Sequence, residues 1–216
     1  YGLTEEDARG ERFKDIDKDI LNNGDILTLT RPDVISDIHR RFLEAGSDIV
    51  ETNSFSATSI AQSEFFVEDP RESGKGRKDP EFYQKIMDDP FLKDLAHELN
   101  VESAKLARAA CDEVAEATGI KRYVAGAIGP MTVGLNNAAV DPDDPGFRTV
   151  IFDQVYEDYK RLITKEVRSF YKYRKDKLIL RRRFPYEFKT IEHYESSEKQ
   201  NYWKKLIEVD HRYRKI

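Results

Sequence analysis

Ala45-Gly-Ser-Asp-Ile-Val-Glu-Thr-Asn-Ser-Phe-Ser-Ala-Thr-Ser-Ile-Ala61 is the stretch on which the reading of this chain turns. Gly46 stands where a helix would stop, and Asp48-Ile-Val50 follows as a short apolar strand. Glu51, Thr52, Asn53, Ser54 and Phe55 come next, where a buried strand would emerge from its sheet. Parallel strands of α/β proteins bind ligands at their carboxyl ends. A carboxylate, an amide and two hydroxyls there suit a small polar molecule. On the residues alone a plainer reading stands slightly ahead: a strand-end turn whose Asn and Ser cap the next helix.

The flanks extend this unit. Upstream, Thr30 is read as an N-cap, with Pro32 in the first turn and Asp33 at the capping-box position. Val34, Ile35, Ile38 and Phe42 then recur at helical spacing, which predicts a helix over 31–45. Asp25-Ile-Leu-Thr-Leu-Thr30 before it reads as a short strand, and residues 1–23 show no clear period. Downstream, a helix is predicted from about Ser56 to Phe66. Residues 69–94 carry Asp-Pro at three places and Ser73-Gly-Lys-Gly76, and read as an inserted surface loop with one helical turn around Phe82–Met87. That Gly-Lys-Gly lacks the spacing of a phosphate-binding loop.

From Leu95 to Thr118 the period is helical, with Ala104, Ala107, Cys111 and Val114 on one face. Tyr123-Val-Ala-Gly-Ala-Ile128 reads as a second buried strand ending at Gly129-Pro130, where small residues allow close approach. A loop from Met131 to Phe147 and an acidic helix over about 148–166, with Ile151, Val155, Tyr159 and Leu162 in register, complete the pattern. Strand, helix, strand, helix with short connections implies an α/β fold with a parallel sheet, either a (β/α)8 barrel or a doubly wound sheet.

Composition narrows the class. Of 216 residues 36% are charged and 39% hydrophobic, and the net charge is −5. That balance conceals a division: residues 1–166 carry 21 Lys/Arg against 34 Asp/Glu, whereas 167–216 carry 15 against 7. Ten of the 24 aromatics fall in those last fifty residues, and Gly and Ala are absent from them. Two segments are therefore expected, 1–166 and a divergent basic-aromatic tail at 167–216. Arg181-Arg-Arg183 among aromatic rings has the chemistry of a nucleic-acid surface, but without a fold signature a solvated tail is the stronger reading. No apolar run is long enough to span a bilayer, so no membrane is expected and a cytoplasmic location fits. One cysteine, Cys111, excludes a disulfide framework; it is read as a core residue.

Several ordered motifs carry a resemblance. Asn22-Asn-Gly-Asp-Ile-Leu27, Arg31-Pro-Asp-Val-Ile35, Glu44 to Phe55, Thr58-Ser-Ile-Ala-Gln62, Thr118 to Pro130 and Arg148-Thr-Val-Ile-Phe-Asp153 resemble the amino-terminal homocysteine-binding module of cobalamin-dependent methionine synthases. The likeness spans about residues 3–166, broken by the 69–94 insertion. It implies a (β/α)8 TIM barrel, here partial: the first strand and the second half are expected to be missing. It implies homocysteine as substrate, zinc on three thiolates to activate the substrate sulfur, and methylcobalamin as methyl donor, recharged by a folate module. Glu51, Thr52, Asn53, Ser54 and Gly129 would line the homocysteine pocket.

Three departures accompany it. The Asp-Gly and Gly-Thr turn of the family's first strand is absent. No residue matches the zinc thiolates: Cys111 falls on a helix, and His39, His97, His193 and His211 lack ligand spacing. The nearest equivalent of the fourth strand, Asp176-Lys-Leu-Ile-Leu180, runs into Arg181, which would repel a substrate ammonium. No catalytic or metal-binding residue is therefore assigned. The expected function is methyl transfer to homocysteine giving methionine, with this chain inactive when isolated; the alternative is a non-catalytic fragment that binds a small molecule or a partner.

Overall fold

The computed structural model describes residues 1–135 and 146–162, all within the first of the chain's two units, Tyr1–Lys172. The 167–216 tail, Asn136, Asn137 and the Asp141–Pro145 turn lie outside the described residues.

Two short strands form the sheet. β1 (Ile49–Glu51) and β2 (Tyr123–Ala125) run parallel, with Ile49 opposite Tyr123, Val50 opposite Val124 and Glu51 opposite Ala125. The crossover between them holds α4 (Ser59–Phe66), α5 (Pro80–Asp88) and α6 (Pro90–Thr118). Before β1 come α1 (Glu5–Arg9), a 3-10 turn at Gly24–Ile26, α2 (Leu27–Thr30) and α3 (Pro32–Glu44); α7 (Phe152–Leu162) follows β2. The described part is thus a helix-rich α/β fold.

Strand alternation explains which sheet face is covered. Val50 and Val124 point to one side, where they pack with Leu43 of α3 and Ala107, Ala110, Cys111 and Val114 of α6. The Ala-rich stripe lets α6 come close to the sheet. Ile49, Glu51 and Ala125 point the other way and are exposed. α6 also joins the other two apolar clusters: Leu95 and Leu99 meet Phe13, Ile20 and Ile26, while Leu92 meets Ile60, Tyr83 and Val150.

Four sequence expectations need correction. Asp25 to Thr30 is helical rather than a strand. Asp25, Ile26 and Thr28 are buried and Leu27, Leu29 and Thr30 half-buried, so the run has no open face for strand alternation to mark. Residues 69–94 are not mainly a solvated loop. Two of their Asp-Pro pairs open helices: Asp79 accepts from the Phe82 N–H and Asp89 from the Leu92 N–H, both at 2.9 Å, with Pro80 and Pro90 at the first helical positions. The third, Asp69-Pro70, starts a turn that a buried carboxylate organises. Asp69 takes hydrogen bonds from the Arg71 guanidinium and an ion pair from Lys78, which hold its carboxyl well below the usual range. Thr30 does not cap α3; the cap position is Arg31, with no side-chain bond. The amino-terminal stretch read as aperiodic holds α1, begun by a capping box between Thr4 and Asp7.

The candidate site at the carboxyl ends of β1 and β2

β1 and β2 do not separate where their ladder ends. The Thr52 N–H bonds the Ala125 carbonyl at 2.9 Å, and side chains then take over. The Ala127 N–H donates to Thr52 Oγ1 at 2.9 Å, Thr52 Oγ1 lies 2.8 Å from Ser54 Oγ, and Ser54 Oγ donates to the Ala127 carbonyl at 3.3 Å. The Ser54 proton is thus committed, so the Thr52 hydroxyl donates to Ser54 and a closed ring of three bonds results. Both side chains are buried, where an unmade hydrogen bond would cost about 1–3 kcal/mol.

Two residues further on, the chains meet again. The Gly129 N–H donates to the Phe55 carbonyl at 3.0 Å. A Cβ on Gly129 would lie 2.5 Å from both that carbonyl oxygen and the Phe55 ring, so only glycine fits. Tyr159 closes the other side: its hydroxyl donates to the Gly129 carbonyl at 2.7 Å.

The turn after β1 is held by two buried carboxylates. Asp25 accepts the Ser56 N–H at 2.7 Å, and Asp158 of α7 accepts the Ser59 and Ile60 N–H groups at 3.2 and 2.9 Å. Burial pushes the Asp25 carboxyl up to about 6, against the lowering pull of the Ser56 and Phe55 N–H groups. It raises Asp158 too. Thr58 rather than Ser56 caps α4, accepting from Ala61 at 3.0 Å, so α4 begins three residues later than its expected start.

Of the five residues expected to line a substrate pocket, four are thus structurally engaged. Thr52 and Ser54 make the ring and Gly129 the close approach. Asn53 donates to the Gly24 carbonyl at 2.8 Å and to Thr28 Oγ1 at 3.0 Å, and its own Oδ1 has no partner among the described residues. Glu51 differs: it is exposed, and its carboxylate has no hydrogen bond or ion pair among the described residues. It lies beside a half-open cleft of about 450 Å³ between β1 and α3, lined mainly by apolar groups including Ile35, Ile38, Phe42 and Ile49. His39 closes its floor. That imidazole is buried, its Nε2 finds no hydrogen-bond partner, and burial lowers its pKa, so it is neutral at pH 7.

The sequence pattern does not single out Asp25, Asp158 or Tyr159 as site residues. Tyr159 falls in register with the apolar face of its helix, and an isolated Asp carries no signal for what it caps across the fold.

The described residues do not fit a zinc ion. Among them no three His, Cys, Asp or Glu side chains gather as a metal site. Cys111, the chain's single cysteine, is buried with its thiol 3.4 Å from the Tyr123 carbonyl, and burial pushes that thiol up. It is a core residue, neither a ready thiolate nor a ligand. No described helix is long and apolar enough to cross a membrane.

A family model described as homocysteine S-methyltransferase matches residues 4–180. The match covers every element from α1 to α7 and both strand ends. It also runs past position 166, where the charge reverses. With parallel neighbouring strands and their ends bound together, the chain belongs to the homocysteine S-methyltransferase family.

Proposed function

We propose that this chain binds homocysteine at the carboxyl ends of β1 and β2 and contributes that part of a methyl-transfer site, in the manner of the homocysteine-binding module of a cobalamin-dependent methionine synthase. One observation carries the reading: Glu51 is an open carboxylate at a strand end where the surrounding polar groups are already bonded to one another. In this reading Glu51 and Asn53 Oδ1 receive the substrate ammonium, and Thr52, Ser54 and Gly129 hold the floor rigid beneath it. The exposed Phe55 ring offers an apolar surface for the side-chain methylenes. A rigid floor keeps the ligand's reactive end in one orientation, which is how binding energy serves a transfer reaction. We further propose a partial (β/α)8 barrel, since among the described residues one sheet face is uncovered and the outer strand edges are unpaired, the form of an open barrel wall.

Thiol activation is not assigned to this chain, because the thiolates that would hold zinc have no counterpart in it. That observation favours a second reading, in which the isolated chain binds but does not turn over. Calorimetric titration with L-homocysteine tests the first reading: binding is expected, and Glu51→Gln weakens it by about tenfold, the effect of one charge-assisted hydrogen bond at a partly open site. Equal affinity in the variant would remove Glu51 from the site. Zinc analysis with a methyl-transfer assay separates the two readings. Stoichiometric zinc with turnover would defeat the binding-only reading.

A further inference from the structure

We infer that α7 is the positioning element of this site, and that Tyr159 and Asp158 are its positioning residues. The inference rests on the homocysteine reading above for its ligand, but its geometry stands apart from it. The adjacent side chains of Asp158 and Tyr159 reach the two strand-end segments separately. Tyr159 holds Gly129 after β2, and Asp158 holds the Ser59 and Ile60 N–H groups after β1. One rigid helix thereby sets the spacing between the segments.

The helix is itself anchored. Gln154 Nε2 donates to the Pro80 carbonyl and Arg161 to the Met87 carbonyl, each at 2.7 Å, so α7 is fixed near both ends of α5. Residues 69–94, which the sequence presents as an inserted loop, therefore support the site through the contacts of α5 with α7.

A phenol is required at 159 because it donates to the Gly129 carbonyl; a phenyl ring of the same shape cannot. Without it, the Gly129 carbonyl loses its partner, and the segment after β2 opens locally. The cross-strand bond from Gly129 to Phe55 then loses its backing.

The experiment uses the full chain as wild type, Tyr159→Phe and Asp158→Asn, with residue-resolved amide hydrogen exchange, L-homocysteine titration and thermal unfolding. Tyr159→Phe is expected to speed exchange at Gly129 by roughly tenfold. Amides of Ala104 to Cys111 in α6 stay protected, and homocysteine affinity falls several-fold. Asp158→Asn, which keeps one amide oxygen, speeds exchange at Ser59 and Ile60 instead. This second variant carries the test if Tyr159→Phe fails to fold. Unchanged exchange at those amides, or a uniform rise through α6, overturns the inference; a purely structural role gives the uniform rise. Selective loosening with undiminished homocysteine affinity also overturns it. If the wild type binds no homocysteine while the selective loosening appears, the ligand reading fails and the positioning role of α7 stands.

Discussion

Asp25 is the residue whose environment is most at odds with its chemistry. Its carboxylate is buried, and its pKa of about 6 lies above the ordinary 3.8 because desolvation outweighs two N–H bonds. A raised folded-state value means the protonated form favours the fold. This contribution is present below about pH 4 and is lost as the pH rises through about 6. Asp25→Asn keeps an oxygen for the Ser56 N–H and removes the buried charge. Its stability relative to wild type is therefore expected to rise from near zero at pH 4 to on the order of 2 kcal/mol above pH 7. Urea denaturation of both proteins across that range measures it; a constant difference would show that the Asp25 carboxyl has the same pKa in the folded and unfolded states. Asp25 was invisible as a site residue because its partner, Ser56, is 31 positions away. Glu51 to Ser54 were legible, since a polar cluster ending an apolar strand is a local pattern. Their division into one open carboxylate and a closed hydroxyl ring was not, because Ala127 lies 73 residues beyond Ser54.

Among the elements, α6 shows how a local signal is misread. Asp-Pro is both a turn signal and a helix start, and the choice depends on whether an apolar period follows. After Asp89-Pro90 it does: Leu92, Leu95, Ala96 and Leu99 are all buried. Asp89→Ala removes the cap that accepts the Leu92 N–H and is expected to cost about 1 kcal/mol, seen as a lower midpoint in thermal or chemical unfolding. Asp89→Ser, which retains a capping oxygen, recovers most of that loss. No change in Asp89→Ala would mean that packing alone places the start of α6. The opposite error, a helix read as a strand at 25–30, arose where no flanking period was long enough to decide.

At the scale of the whole molecule, the described residues cover the sheet on one side only. Phe42, Ile49 and Phe55 are 62%, 57% and 54% exposed, beside a β1 edge with no strand partner among the described residues. Unpaired edges and clustered apolar surface both favour association. The full chain is expected to self-associate with rising concentration, and Ile49→Lys to shift it toward monomer at unchanged unfolding midpoint. Sedimentation velocity reads the outcome. A wild type that stays monomeric at every concentration would show this face to be covered.

The amino-acid order alone established the α/β class, both strands, the major helices and the polar cluster after β1, because apolar period and capping chemistry act within a few residues. It also carried the family resemblance that the match over residues 4–180 supports. Folding settled which polar groups are spent and which remain open. Thr52 and Ser54 close a ring with Ala127, two buried carboxylates hold the turn after β1, and α7 reaches both strand ends. Those bonds join positions tens of residues apart, and a buried donor or acceptor is satisfied by whatever the closed chain brings to it.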